Sequence, residues 1–346
     1  LAGTLEGLGT LTAPTYALNG GTVVATAGLG TGTLTSTGNS TLAGTSAAGT
    51  VQVTSGTLAL AGAERLDDNA DVTVAAGATL DLSADETVRS LTLAGTLDGM
   101  GFTLSTGDRA TLESGALVVA NLGSGLLVVT GDAQLAGTSA AGTVDLQAGT
   151  LSLAIAERLF DTADMTVAAG ATLSLGGAER VGTLTLAGTL ASANQLDADT
   201  VTLLSGALVQ ADVSANSLVV QGDATLQGQA LVGTAQIDAG TLTLAAPERI
   251  ADTAALTLAA GATLQLGSHD ETVASATLAG TLAGSGTLTA ASYTLNGATV
   301  DAHLGTGTLV VDGSSSLSGS AGVGALDINA GTLTLTGANR FTAAPA

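Results

Sequence analysis

Few residues in this chain have the types and spacing that chemistry requires. Asp67, Asp68 and Asp71 crowd into LDDNADVTV, and carboxylates gathered in this way serve polysaccharide-cleaving enzymes as acid and base. The matching later stretches are thinner, with Asp161 and Asp164 in one and Asp252 alone in the next. The expected role is therefore that of turn residues whose side chains bond nearby backbone. The spacing Asp67-x-Asn69-x-Asp71 starts like a calcium loop. An EF-hand is nevertheless excluded, because Val72 stands where Gly is required and Ala78 where Glu is required. The nonapeptide calcium repeat is absent as well, and weak calcium binding is left open.

Four adjacent pairs recur: Glu64-Arg65, Glu157-Arg158, Glu179-Arg180 and Glu248-Arg249. Neighbours on a strand point opposite ways, so each pair is expected to salt-bridge a neighbouring coil. His269 and His303 are the two imidazoles, 34 residues apart and in non-equivalent settings, and are expected in solvated loops. GTSAAG, at Gly44 and again at Gly137, falls short of the Gly-x-Ser-x-Gly nucleophile elbow. With no lysine there is no P-loop, and no dinucleotide fingerprint follows a strand. Thr-x-Thr triplets recur at Thr10/Thr12, Thr33/Thr35, Thr183/Thr185, Thr241/Thr243, Thr287/Thr289 and Thr332/Thr334, at irregular intervals. Stacked on one flat face, they would order water as ice-binding solenoids do. No residue is assigned a catalytic, cofactor-binding or metal-ligating role, and no cofactor is expected.

The scaffold is set by composition. Among 346 residues there are 49 Gly, no Cys, no Trp, two Tyr and three Phe, while hydrophobic residues make up 45%. That is too apolar for disorder and too poor in large side chains for an ordinary globular core. All seven basic residues are Arg, against 29 carboxylates, for a net charge of −22. A nucleic-acid partner is disfavoured and none is expected, since this surface would repel a polyanion. Gly, Thr or Asp interrupts every apolar stretch before the roughly 18 to 20 residues of a membrane helix, and five aromatics cannot form the girdles of a membrane barrel. No membrane insertion by this segment is expected. The absence of cysteine suits a protein exported unfolded.

The chain repeats itself. GTLALAGAERL from Gly56 returns as GTLSLAIAERL from Gly149, GTLTLAAPERI from Gly240 and GTLTLTGANRF from Gly331, at spacings of 93, 91 and 91 residues. The repeats are read as 1–55 (partial), 56–148, 149–239, 240–330 and 331–346 (partial), one continuous solenoid cut from a longer array. Within each, short Thr, Val and Leu runs alternate every eight or nine residues, which is strand periodicity with one dry face. Scattered glycines, each costing about 1 kcal/mol in a helix, argue against helices. A string of immunoglobulin-like sandwiches fits the period too, but those cores want bulky residues. Stacked Leu, Val and Ala suit a narrow solenoid. The expected fold is all-β, a right-handed parallel β-helix. With three strands and about 20 to 25 residues per coil, each repeat would hold about four coils and the chain about fifteen, or about 70 Å of axis.

GTLTLAGTLASANQL (182–196), AGATLDLSADETVRSLTLAGTL (76–97) and GTLTLTGANRF (331–341) resemble the passenger regions of bacterial autotransporters and filamentous haemagglutinin-type adhesins. The shared pattern is Gly-Thr-Leu-x-Leu-x-Gly-x-Asn, matched by Gly331, Thr332, Leu333, Leu335, Gly337 and Asn339. Glu64, Glu157 and Glu248 stand in place of that Asn in the first three copies. The resemblance implies a secreted β-helix displayed on a bacterial surface. The expected function is a non-enzymatic structural or adhesive rod: a stalk, or a component of a surface layer or filament. Its expected partners are neighbouring repeats, further copies meeting at open coil ends, and a host or surface ligand of unknown kind. The alternatives are a polysaccharide-degrading β-helix enzyme and an ice-binding solenoid.

Overall fold

The computed structural model describes residues 1–342 as short β-strands joined by turns, with no helix and with about half of the chain in strand. The chain forms two compact units, Leu1–Val181 and Gly182–Ala346. Each is a β-solenoid whose strands pair in parallel with strands about one coil away in the sequence. Parallel pairing excludes the antiparallel sandwich alternative.

Each coil has three faces, seen clearly in 86–98. Residues 86–88 form the first face and 90–93 the second, both within the bent strand Glu86–Leu93, and Thr96–Asp98 forms the third. The burial pattern of the bent strand alternates on both legs and breaks at exposed Arg89, which turns the corner. Inward residues stack on their counterparts. In the first unit the second face runs Tyr16, Leu34, Val51, Val72, Leu91, Ala110, Leu127, Val144 and Met165, each the register partner of the next. In the second unit the same ladder runs Leu184, Val201, Leu218, Ala235, Leu256, Ala276, Tyr293, Leu309 and Leu326. Two ladders of this length make about 18 coils.

This corrects the expected coil size. From Val72, one repeat reaches Met165 through 91, 110, 127 and 144, which is five coils and not four. The corners are tighter than a 20-residue coil assumes, since a single residue such as Arg89 or Asp199 separates two faces. The longest described steps on the third face, Leu58 to Leu80, Leu151 to Leu173 and Leu242 to Leu264, carry the Glu64-Arg65, Glu157-Arg158 and Glu248-Arg249 loops as outward excursions.

The interior is mostly Leu, Val and Ala, as the composition requires, but both tyrosines lie in it. Tyr16 and Tyr293 are buried, and each hydroxyl finds backbone partners. Tyr293 Oη accepts from the Ala290 N–H (2.7 Å) and donates to the Leu288 carbonyl (2.9 Å). Tyr16 does the same with Ala13 and Leu11. A buried hydroxyl left without partners would be destabilising, so the surrounding backbone fixes where a Tyr can enter.

Candidate functional site: the repeated carboxylate clasp

The most unusual chemistry lies on the first face, where most inward positions are aliphatic. Three positions there hold glutamates that are 1%, 1% and 0% exposed: Glu86, Glu179 and Glu271. Each carboxylate reaches the loop of the preceding coil and accepts two consecutive backbone N–H groups. Glu86 takes those of Arg65 (2.8 Å) and Leu66 (2.7 Å), Glu179 those of Arg158 (2.9 Å) and Leu159 (2.8 Å), and Glu271 those of Arg249 and Ile250 (both 2.8 Å). Burial pushes the carboxyls of Glu86 and Glu271 up to about 7 and that of Glu179 in the same direction. The two amide donors oppose the shift without cancelling it.

The clasped loop has its own geometry. Glu64, Glu157, Glu248 and Asn339 lie in the left-handed region, with φ of 52°, 54°, 51° and 56°. A non-glycine residue there costs about 1–2 kcal/mol, and Asn tolerates it best. The Glu-for-Asn departures from the adhesin-like pattern therefore occupy one backbone conformation. The following Arg folds back onto carbonyls. Arg65 donates to Ala63 and Ala43, Arg158 to Ala156 and Ala136, and Arg249 to Pro247 and Gln227, the second acceptor of each lying 22 residues earlier. The expected salt bridges are thus replaced by guanidinium–carbonyl bonds, because the left-handed turn aims the side chain along the coil stack. Glu179-Arg180 belongs to a different class, since its Glu is a clasp and not a loop residue. Sequence reasoning missed Glu86 and Glu271, although a signal was present: a Glu stands 21 or 22 residues after Arg65, Arg158 and Arg249 alike.

The other acidic residues hold corners. Asn39, Asp132 and Asp223, at equivalent positions, accept the backbone N–H of Thr57 (3.2 Å), Thr150 and Thr241 (both 2.8 Å) one coil on. Asn121, Asp212 and His303 do the same for Thr138 (3.1 Å), Gln229 (2.7 Å) and Ser320 (2.9 Å). His303 Nδ1 is thus an acceptor serving as a corner cap, at 2.9 Å from Ser320 Oγ as well. His269 lies elsewhere in the second unit, at a partly exposed turn.

The Asp67, Asp68 and Asp71 cluster does not converge. Asp67 makes an Asx turn onto the Asn69 N–H (2.8 Å), Asp68 is exposed, and Asp71 pairs with Arg89 and accepts from Ser90 Oγ (2.6 Å). Bonds from Arg89 and then Ser90 hold the Asp71 carboxyl below its ordinary range. Asp161 and Asp164 are exposed, and Asp252 borders a cavity of about 180 Å³ with Glu248 and Leu231. Among the described residues no three His, Asp or Glu side chains converge to hold a metal ion. A carboxylate pair that sequence spacing did not suggest is Asp81 and Asp98, register neighbours on adjacent coils of the third face. Burial, and then the Asp98 charge, raise Asp81.

GTSAAG also acquires a structural explanation. Ser46 and Ser139 are buried and accept from the N–H of Ala48 and Ala141 (both 3.2 Å), which turns them away from any substrate. A side chain on Gly44 or Gly137 would overlap the carbonyl oxygen of Ala27 or Ala120. The Thr-x-Thr triplets do not share one face: Thr241/Thr243 and Thr334 lie on the third face, and Thr33/Thr35, Thr183/Thr185 and Thr287/Thr289 lie elsewhere on the coils, but Thr241, Thr263, Thr281, Thr299, Ser316 and Thr334 form one outward column. The triplets are irregularly spaced in the sequence because they fall on different faces of the coil. The adjacent column is broken by Gln265 and Ala283.

With this geometry in hand, comparison with known proteins gives no further guide: no protein family, curated protein or solved structure matches the chain.

Proposed function

We propose that this chain is a non-enzymatic structural or adhesive segment of a large repetitive bacterial surface or secreted protein, similar in kind to an autotransporter passenger or filamentous haemagglutinin-type adhesin. The observation that carries the reading is how the polar side chains are used. Clasps, corner caps and guanidinium bonds each tie one coil to its neighbour through backbone groups. A chain built in this way gains reach by adding coils, each contacting only the next, which suits a stalk, surface layer or filament. Its acidic, lysine-free surface suits display among anionic envelope polymers. Neighbouring repeats, and further copies meeting at coil ends, are the partners this reading implies.

The test is localisation of the full gene product. Antibody raised against residues 1–342 should label intact cells, and external protease should remove the signal. Labelling that requires permeabilised cells would refute the reading. Incubation with acidic polysaccharides should leave their chain length unchanged, and depolymerisation abolished by Asp81→Asn or Asp98→Asn would establish the enzyme alternative. The threonine column favours one second reading, an ice-binding face, which thermal hysteresis at micromolar protein would support.

A further inference from the structure

We propose that His303 is an acid-release point: while its ring is neutral it holds the corner 318–321 of the following coil, and protonation frees that corner together with the Arg340 loop seated on it. The corner is one of a set. Asn121 Oδ1 accepts both the N–H (3.1 Å) and the Oγ1–H (2.9 Å) of Thr138, and Asp212 accepts the N–H of Gln229 (2.7 Å). His303 stands at the same place in its own repeat, and its Nδ1 lies 2.9 Å from both the N and the Oγ of Ser320. Of these three caps it alone is an imidazole, a group whose charge changes between pH 5 and 8.

The direction comes from the donor. A backbone N–H cannot accept, so the nitrogen that receives it must carry a lone pair, which Nδ1 has only in the neutral ring with its proton on Nε2. Protonation places an N–H on Nδ1. That group can still donate to Ser320 Oγ, but it meets the Ser320 amide donor to donor, and the amide loses its partner. A bond that only the neutral form makes stabilises the closed corner at high pH, and that contribution is lost as pH falls through the imidazole range.

The surrounding charged groups offer the amide no replacement acceptor. Asp301 is taken by Ser318 Oγ (2.6 Å), Asp270 caps Thr287, the register partner of His303 on the preceding coil, and the Arg340 guanidinium donates to the Ser318 carbonyl. Glu271 and His269 lie two coils back, and Glu271 is committed to its clasp. What rests on the corner moves with it. Ala321 donates its N–H to the Arg340 carbonyl (2.7 Å) while Arg340 Nη1 reaches Ser318, so both ends of the corner carry the loop that turns through left-handed Asn339. The strands on either side, Thr308–Val311 and Ala325–Ile328, keep their own ladder pairing.

Hydrogen exchange of the whole chain at pH 8 and pH 5, corrected for intrinsic rates, tests this. Protection at the Ser320 N–H should fall at least about fivefold at pH 5, as for loss of one net hydrogen bond, and that of Ala321 should fall with it. Thr138, Gln229 and Asp312 should hold, the last because its N–H goes to the Leu295 carbonyl. Unchanged protection at Ser320, or a fall shared by Thr138, Gln229 and Asp312, would overturn the proposal. His303→Asn, which copies the Asn121 corner, should protect Ser320 equally at both pH values, and His303→Ala should leave it weakly protected at both. A pH effect at Ser320 that survives either substitution would also overturn it. If neither variant folds, nitrogen NMR of the imidazole in the unaltered protein decides: an unprotonated Nδ1 at pH 8 supports the release point, and a proton on Nδ1 at that pH refutes it.

Discussion

Arg158 gives the sharpest test of how coils are tied together. Its Nε donates to the Ala156 carbonyl (3.0 Å) and its Nη1 to the Ala136 carbonyl (2.9 Å) on the preceding coil. Hydrogen bonds to a charged donor contribute about 1.5–3 kcal/mol each, and the half-buried setting lowers that. Arg158→Met keeps most of the apolar stem and should destabilise by about 2–4 kcal/mol; Arg158→Lys should lose roughly half as much, since a lysine lacks the fork that reaches both carbonyls. Urea melts followed by circular dichroism suit the purpose because urea leaves ionic strength free to vary. Midpoints should be compared at matched slope, as a solenoid is a chain of coupled units and not a strict two-state system. A carbonyl acceptor carries no net charge, so the Arg158→Met loss should be nearly the same in low salt and in about 0.5 M NaCl. Arg89→Met is the contrast. It removes an exposed ion pair with Asp71, should cost far less than Arg158→Met, and should lose that effect in salt. An Arg158 penalty that is small, or that shrinks with salt in step with Arg89, would refute the carbonyl-bridge account and restore the ion-pair reading.

Three further substitutions probe other parts of the coil. Asp223→Ala strands the Thr241 N–H and should cost about 1 kcal/mol in the same urea assay, whereas Asp223→Asn should be nearly neutral because Asn39 fills the equivalent corner. At Glu157, the left-handed φ predicts that Glu157→Gly leaves or raises stability while Glu157→Val lowers it, with the two differing by about 1–3 kcal/mol; equal midpoints would disprove the strain. Gly137→Ala forces a methyl against the Ala120 carbonyl and should lower the thermal midpoint measurably, while Gly142→Ala, which meets open space, should not.

The strands were legible because the two-residue alternation of Thr and Leu is a local property, and the choice of solenoid over sandwich followed from the lack of large core side chains. The number of coils per repeat was not legible. It depends on how few residues a corner needs, and the one-residue corner at Arg89 is set by packing between coils. The turn role of Asp67 was legible, since an Asx turn spans two residues. The clasp was not, because Glu86 and the loop it holds are some 20 residues apart and meet only when the chain has completed a coil.

Sequence alone determined that this chain repeats, winds as parallel strands around small aliphatic side chains, and carries a net charge of −22, since these follow from composition and short-range period. Tertiary structure alone decided which acidic residues face inward and which arginines leave the carboxylates for carbonyls. Burial raises a carboxyl, and a left-handed turn redirects a guanidinium, only once one coil is stacked on the next.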